Sequence, residues 1–167
     1  NLQFVGLDNY ARAFGDPDVS FSAIRTVIWG FVSVPIYLVV SFLLALILNQ
    51  NIPGRGIFRT LFYLPSVVPV VAAVMAWRSI LDKNAGMLNA VLDIFKPGIA
   101  IGWLSDYAVE GMVAISTWMG LGFGMIIFLA ALQNIPEEQV EAARIDGANN
   151  FQIVRHIILP LMSPVIF

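Results

Sequence analysis

Apolar positions in this chain fall in long unbroken runs, and the charged residues are confined to the stretches between them. Residues 26–48 carry no charge; as an α-helix they reach about 34 Å, and the hydrocarbon core of a bilayer is about 30 Å thick. A second run covers 60–77 and continues past Arg78 to Leu81, and a third covers 111–131 and ends near Gln133 and Pro136. A fourth begins around Ile157. Each run predicts a transmembrane helix, because a helix satisfies its own backbone where no water is present. Pro35, Pro65 and Pro69 lie within the spans and predict kinks, which neighbouring helices and hydroxyls make tolerable. Gly120, Gly122 and Gly124 recur at every second position of the third run. That spacing spreads them around a helix instead of along one stripe, so it predicts close packing on several sides and not a GxxxG dimer face.

Composition agrees with a membrane protein. The hydrophobic fraction is 59% and the charged fraction 12%, against about 45–50% and about 25% in ordinary soluble chains; the mean hydropathy is +0.82. A net charge of −2 gives no basic face, which excludes nucleic acid as a partner on electrostatic grounds. With no cysteine there is neither a disulfide nor a cysteine metal site. The single histidine, His156, has no metal-ligand spacing around it and is expected at a membrane edge or helix end. No Ser/His/Asp set or G-x-x-x-x-G-K-[ST] phosphate loop occurs. The chain starts at Asn1 without a signal-peptide layout and stops at Phe167 inside an apolar run, so it is expected to be the central part of a longer protein. Lys and Arg are spread evenly over the loops, two in each. The segment 49–59, the densest and without an acid, is expected in the cytoplasm. Alternation then places 134–156 there too, with 1–25 and 82–110 outside.

Residues 134–156 read as two short helices around a turn. Pro136 suits a first helical position, Glu137 and Glu138 favour the positive end of the helix dipole, and Glu141 and Arg144 are spaced to pair. Gly147 is placed to end the helix in a left-handed conformation. Asn149 with Gln152 three residues on resembles a capping box. Adjacent Ala142 and Ala143 leave a thin helix that another protein can approach closely. The fixed positions Glu141-Ala142-Ala143, Gly147 and Ile157-x-Leu159-Pro160 arise together by chance less than roughly once in 10⁵ chains of this length at ordinary residue frequencies.

That spacing resembles the EAA loop of permease subunits of binding-protein-dependent ABC importers. Residues 4–14 (FVGLDNYARAF) and 58–77 (FRTLFYLPSVVPVVAAVMAW), with Gly86-x-x-Asn89-x-x-Leu92 and Trp103-Leu104-Ser105-Asp106, resemble the carbohydrate class, the maltose and glycerol-phosphate permeases. The resemblance implies an all-α polytopic transmembrane bundle with a cytoplasmic coupling helix, here a single domain over 1–167 and a fragment of roughly six helices in a prokaryotic inner membrane. It implies that Glu141, Ala142, Ala143, Asp146 and Gly147 form the turn that docks on an ATPase, with Ile157, Leu159 and Pro160 leading back into the membrane. It also implies a second permease subunit, two ATPase subunits, an extracytoplasmic solute-binding protein and a small-molecule substrate, a sugar or polyol phosphate. This chain then binds no cofactor, and ATP is used by the partner.

Polar groups at membrane depth, Tyr37, Ser41, Tyr63, Ser116, Thr117 and Trp118, are candidates to line a substrate pathway. They equally suit hydrogen bonds and packing between helices. The alternatives to sugar import are a permease for another solute such as an amino acid or ion, an intramembrane enzyme, or a scaffold.

Overall fold

The computed structural model describes residues 4–166; Asn1–Gln3 and Phe167, the ends of the expected 1–167 domain, lie outside the described residues. All regular structure among the described residues is helical. A short helix, α1 (Asp8–Gly15), leads into α2 (Pro17–Asn49). Asp16 separates them: its carboxylate accepts the Asp18 N–H at 2.9 Å, and Pro17 takes the first helical position. This cap explains why α2 begins nine residues before the expected 26. At 33 residues it is about 50 Å long, and it runs unbroken through Pro35.

The second run departs from expectation. In place of one kinked span over 60–81 there are two helices, α3 (Arg55–Val67) and α4 (Val70–Ile80), bent by 98°. Pro69 is the cause: it drives the preceding Val68 into extended backbone (φ −69°, ψ 131°) and caps α4. Arg59, expected in a loop, lies inside α3. The connection beyond α4 holds a further helix, α5 (Met87–Phe95), before the long α6 (Ala108–Gln133). Then come α7 (Glu137–Ile145), α8 (Asn150–Ile153), a π-helical segment Val154–Ile158 and α9 (Leu159–Ile166). Helical structure resumes at Asn150, where the Asn149 cap predicts it, and continues through the π segment into the apolar run expected from Ile157.

α2 and α6 are long and apolar enough to cross a membrane, and the bent α3–α4 pair qualifies as a third span if counted as one. Only 22% of the most apolar window of α2 and 33% of that of α6 are buried within the chain, which leaves wide apolar faces for lipid or further helices.

Contacts along α6 fix the topology. A Cβ on Gly120 would sit 3.0 Å from the Tyr37 ring, Ser41 Oγ donates to Leu121 O at 3.5 Å, and Phe42 meets Phe128 edge-on at 5.9 Å. Positions rise together, so α2 and α6 are parallel. On α3 they run oppositely: Ser66 Oγ donates to Met119 O at 2.9 Å, while the Phe62–Tyr63 backbone lies against Gly122. The three glycines thus face two helices, as their spacing predicted. The α3–α4 pair carries the chain back, so the 50–54 turn and 134–156 share one end of the bundle. The core at that end joins Ala45, Phe128, Leu129, Leu132 and Met162.

At the other end the connection folds around Asn89. This buried side chain donates from Nδ2 to Lys83 O and Ile101 O at 2.9 Å and accepts the Trp103 Nε1–H at 2.9 Å. Asp82 turns the chain before it, accepting the N–H groups of Ala85 at 2.8 Å and Asn84 at 2.9 Å, which hold its carboxyl below the usual range.

Candidate functional site

The 134–156 loop is shaped almost wholly by local hydrogen bonds. Pro136 is the cap residue of α7, not its first helical residue (φ −60°, ψ 125°), and Glu137 and Glu138 occupy the first turn. At the far end the Ala148 N–H reaches Ala143 O at 2.9 Å and the Gly147 N–H reaches Arg144 O at 3.1 Å, the two bonds of a Schellman motif. Gly147 has φ +84°, a left-handed conformation that costs an L-residue about 1–2 kcal/mol. The capping box is present: Gln152 N–H donates to Asn149 Oδ1 at 3.0 Å, and Asn149 N–H donates to Gln152 Oε1 at 2.8 Å. The expected Glu141–Arg144 pair is absent; the one ion pair among the described residues is Lys83–Asp106 at 3.8 Å.

Helix α8 then widens into the π segment, where the Leu159 N–H bonds to Val154 O. Pro160 supplies the reason. It has no N–H for His156 O, and its ring crowds that carbonyl in α geometry, so the wider turn relieves it. His156 lies exposed in this segment, with Nδ1 3.1 Å from Gln152 O.

The motif residues divide between two faces. Ala143, Asp146, Gly147 and Ile157 share a shallow depression of about 350 Å³ with Ala148, Gln152 and His156. Glu141 instead lines a groove of about 850 Å³ bordered by Arg55, Glu137, Arg144 and Ile153. Ala142 is exposed on α7, and Leu159 and Pro160 are exposed on α9, outside both hollows. Two side chains were missed in the sequence. Ile145 is 86% and Phe151 69% exposed, one on each side of the Gly147 turn. Their signal was present: large apolar residues in a polar segment between two membrane runs.

None of the polar residues at membrane depth lines either of the two hollows described above. Tyr37 and Ser41 pack against Gly120 and Gly124 in the α2–α6 seam. The backbone of Tyr63 lies against Gly122 on the α3 side. Trp118 stacks edge-on against Trp77 at 5.4 Å, Ser116 Oγ donates to Val113 O of its own helix at 3.1 Å, and the Thr117 hydroxyl is buried without a partner.

Comparison with known proteins gives the family of the chain as a whole. The family described as "Binding-protein-dependent transport system inner membrane component" matches residues 22–167. The probable ABC transporter permease protein YesP of Bacillus subtilis is 37% identical, covering 99% of this chain and 54% of that protein. The trehalose/maltose transport system permease protein MalF of Thermococcus litoralis is 35% identical, covering 98% and 56%. The chain therefore spans about half the length of these relatives. In structure it is similar to a chain of a bacterial ABC transporter involved in the import of the acidic polysaccharide alginate, with a TM-score of 0.85 at 25% identity, covering 99% of this chain and 59% of that one.

Proposed function

Since the chain belongs to the binding-protein-dependent transport system inner membrane components, we propose that it forms part of the permease of an ATP-driven importer for a sugar or polyol phosphate. In this reading it performs no chemistry and binds no cofactor. Its 134–156 loop lies in the cytoplasm and seats on a separate ATPase, a second permease completes the membrane pathway, and a solute-binding protein delivers cargo at the opposite end. The observation that carries it is the loop itself: a Schellman turn and a capping box hold two helices rigidly and present Ile145 and Phe151 to solvent. Exposed apolar anchors on a preformed turn suit a protein partner. The carbohydrate class is supported by the similarity to the trehalose/maltose permease and to the alginate transporter.

In this mechanism, closure of two ATPases moves the docked α7–α8 unit, and α6 and α9, joined directly to it, tilt with it. The cavity so exposed receives the cargo, and hydrolysis resets the bundle. Gly147→Trp forces a bulky residue to φ +84° and deforms the docking turn. In the full-length protein assembled with its partners, it is expected to lower ATPase co-purification at least about tenfold while membrane insertion stays normal. Undiminished co-purification would exclude the coupling role. Binding of a panel of sugars to the solute-binding protein encoded alongside identifies the cargo.

A further inference from the structure

The groove beside Glu141 is lined by opposite charges that do not meet. Residues 49–59 hold Arg55 and Arg59 and no acid, whereas α7 opens with Glu137 and Glu138 and has no cation before Arg144. Arg55 reaches the groove from α3, and Glu137 and Glu141 reach it from α7. The one ion pair among the described residues is nevertheless Lys83–Asp106, elsewhere in the molecule.

Arg55 is poorly placed as it stands. It is the first residue of α3, the positive end of the helix dipole, where a cation is disfavoured. Arg59 adds a second cation one turn along the same face, and its Nε and Nη2 are buried without a partner. Glu137 is unmatched in the complementary sense. Glu141 has Arg144 three residues on, but the neighbours of Glu137 at those spacings in α7 are Val140 and Glu141, neither of them a cation.

We propose that Arg55 and Glu137 form an ion pair when this groove narrows, latching α7 to the head of the broken α3–α4 crossing. The latch rests on the reading that 134–156 meets an ATPase, and it adds a second route for the motion. Displacement of α7 passes through covalent continuity to α6, and through the ion pair to α3, whose far end is the 98° break at Val68–Pro69. The pair belongs to one state of the cycle; in the open groove Glu137 is exposed and Arg55 half-buried, and a pair so close to the surface exchanges at little cost.

The test uses the full-length permease assembled with its partners in lipid nanodiscs. Spin labels on Asn51→Cys and Glu138→Cys, in a cysteine-free background, report the width of the groove. The expected result is a long distance without nucleotide and an added shorter population when ATP and vanadate trap the ATPases. Arg55→Glu reduces that short population about fivefold, and Arg55→Glu with Glu137→Arg restores it. A wild-type complex with no short population in either state overturns the latch, as does a short population that Arg55→Glu leaves unchanged. A cross-linker on Ala142→Cys separates the two readings. Loss of its cross-link to the ATPase defeats the coupling role, whereas an intact cross-link without shortening defeats the latch alone.

Discussion

Along the α2–α6 seam, atoms far apart in the chain touch. Ser41 bonds to Leu121, and a Cβ on Gly124 would stand 2.6 Å from the Tyr37 hydroxyl and 2.7 Å from Ser41 Oγ. In the 134–156 loop the turn and cap hydrogen bonds reach no further than from Ala143 to Ala148. The seam therefore owes its shape to what is missing from α6, the side chains that glycine lacks, and it exists only when two distant helices arrive together. The loop carries its own geometry. The contrast separates two kinds of glycine: Gly122, on the α3 side of the same helix, is required because backbone stands where its Cβ would be, and Gly147 because of its φ, with open space around it.

Substitutions can break or sharpen that contrast. The largest effect is expected from Gly122→Leu, whose side chain meets Phe62 O and the Tyr63 Cα, both backbone atoms that cannot step aside. Overpacking of this kind costs about 3 kcal/mol, read as a markedly lower melting temperature of the purified protein in detergent. Wild-type melting would show that the α3–α6 contact is looser than its geometry. Asn149→Ala removes the capping side chain, a loss of about 1 kcal/mol confined to the loop. Hydrogen exchange at Gln152 and Ile153 accelerates about fivefold, while bundle melting stays unchanged. If the bundle melts earlier, the loop is not autonomous.

The smallest effect belongs to the Asp82 turn, where local bonds feed the Asn89 hub. Its folded-state pKa is depressed by the Ala85 and Asn84 N–H groups, so its contribution is present above the ordinary aspartate pKa. That contribution fades as pH falls from there through the lowered value. The protection factor of the Ala85 amide, its exchange rate corrected for the intrinsic effect of pH, is expected to fall in that window and to stay level in Asp82→Asn.

Legibility followed the same division. The ends of α7 and α8 were readable because Gly147, Asn149 and Gln152 act on residues within a turn of themselves. The family likeness was readable because it resides in spacing. The 98° break was not, since Pro35, Pro65 and Pro69 look alike in sequence and are resolved by context. Pro35 continues a helix packed on α6, whereas Pro69 falls where Val68 is free to extend. Arg59 was misplaced for a related reason, its charge suggesting a loop although it lies within α3. Of the polar candidates at membrane depth, Tyr37 and Ser41 lie in the α2–α6 seam, a placement that depends on positions about eighty residues away.

The parallel course of α2 and α6 sets a timetable for biogenesis. The Ser41–Leu121 contact spans 80 residues, which at ordinary synthesis rates is on the order of ten seconds of translation. For much of that interval α2 is clear of the ribosome while its glycine-rich partner is still unfinished. Ser33 and Ser41, buried in the finished bundle, must wait in lipid or against the insertion machinery. α2 is thus a segment whose apolar run secures insertion long before its packing face has anything to recognise, and a ribosome stalled within α6 would strand it there.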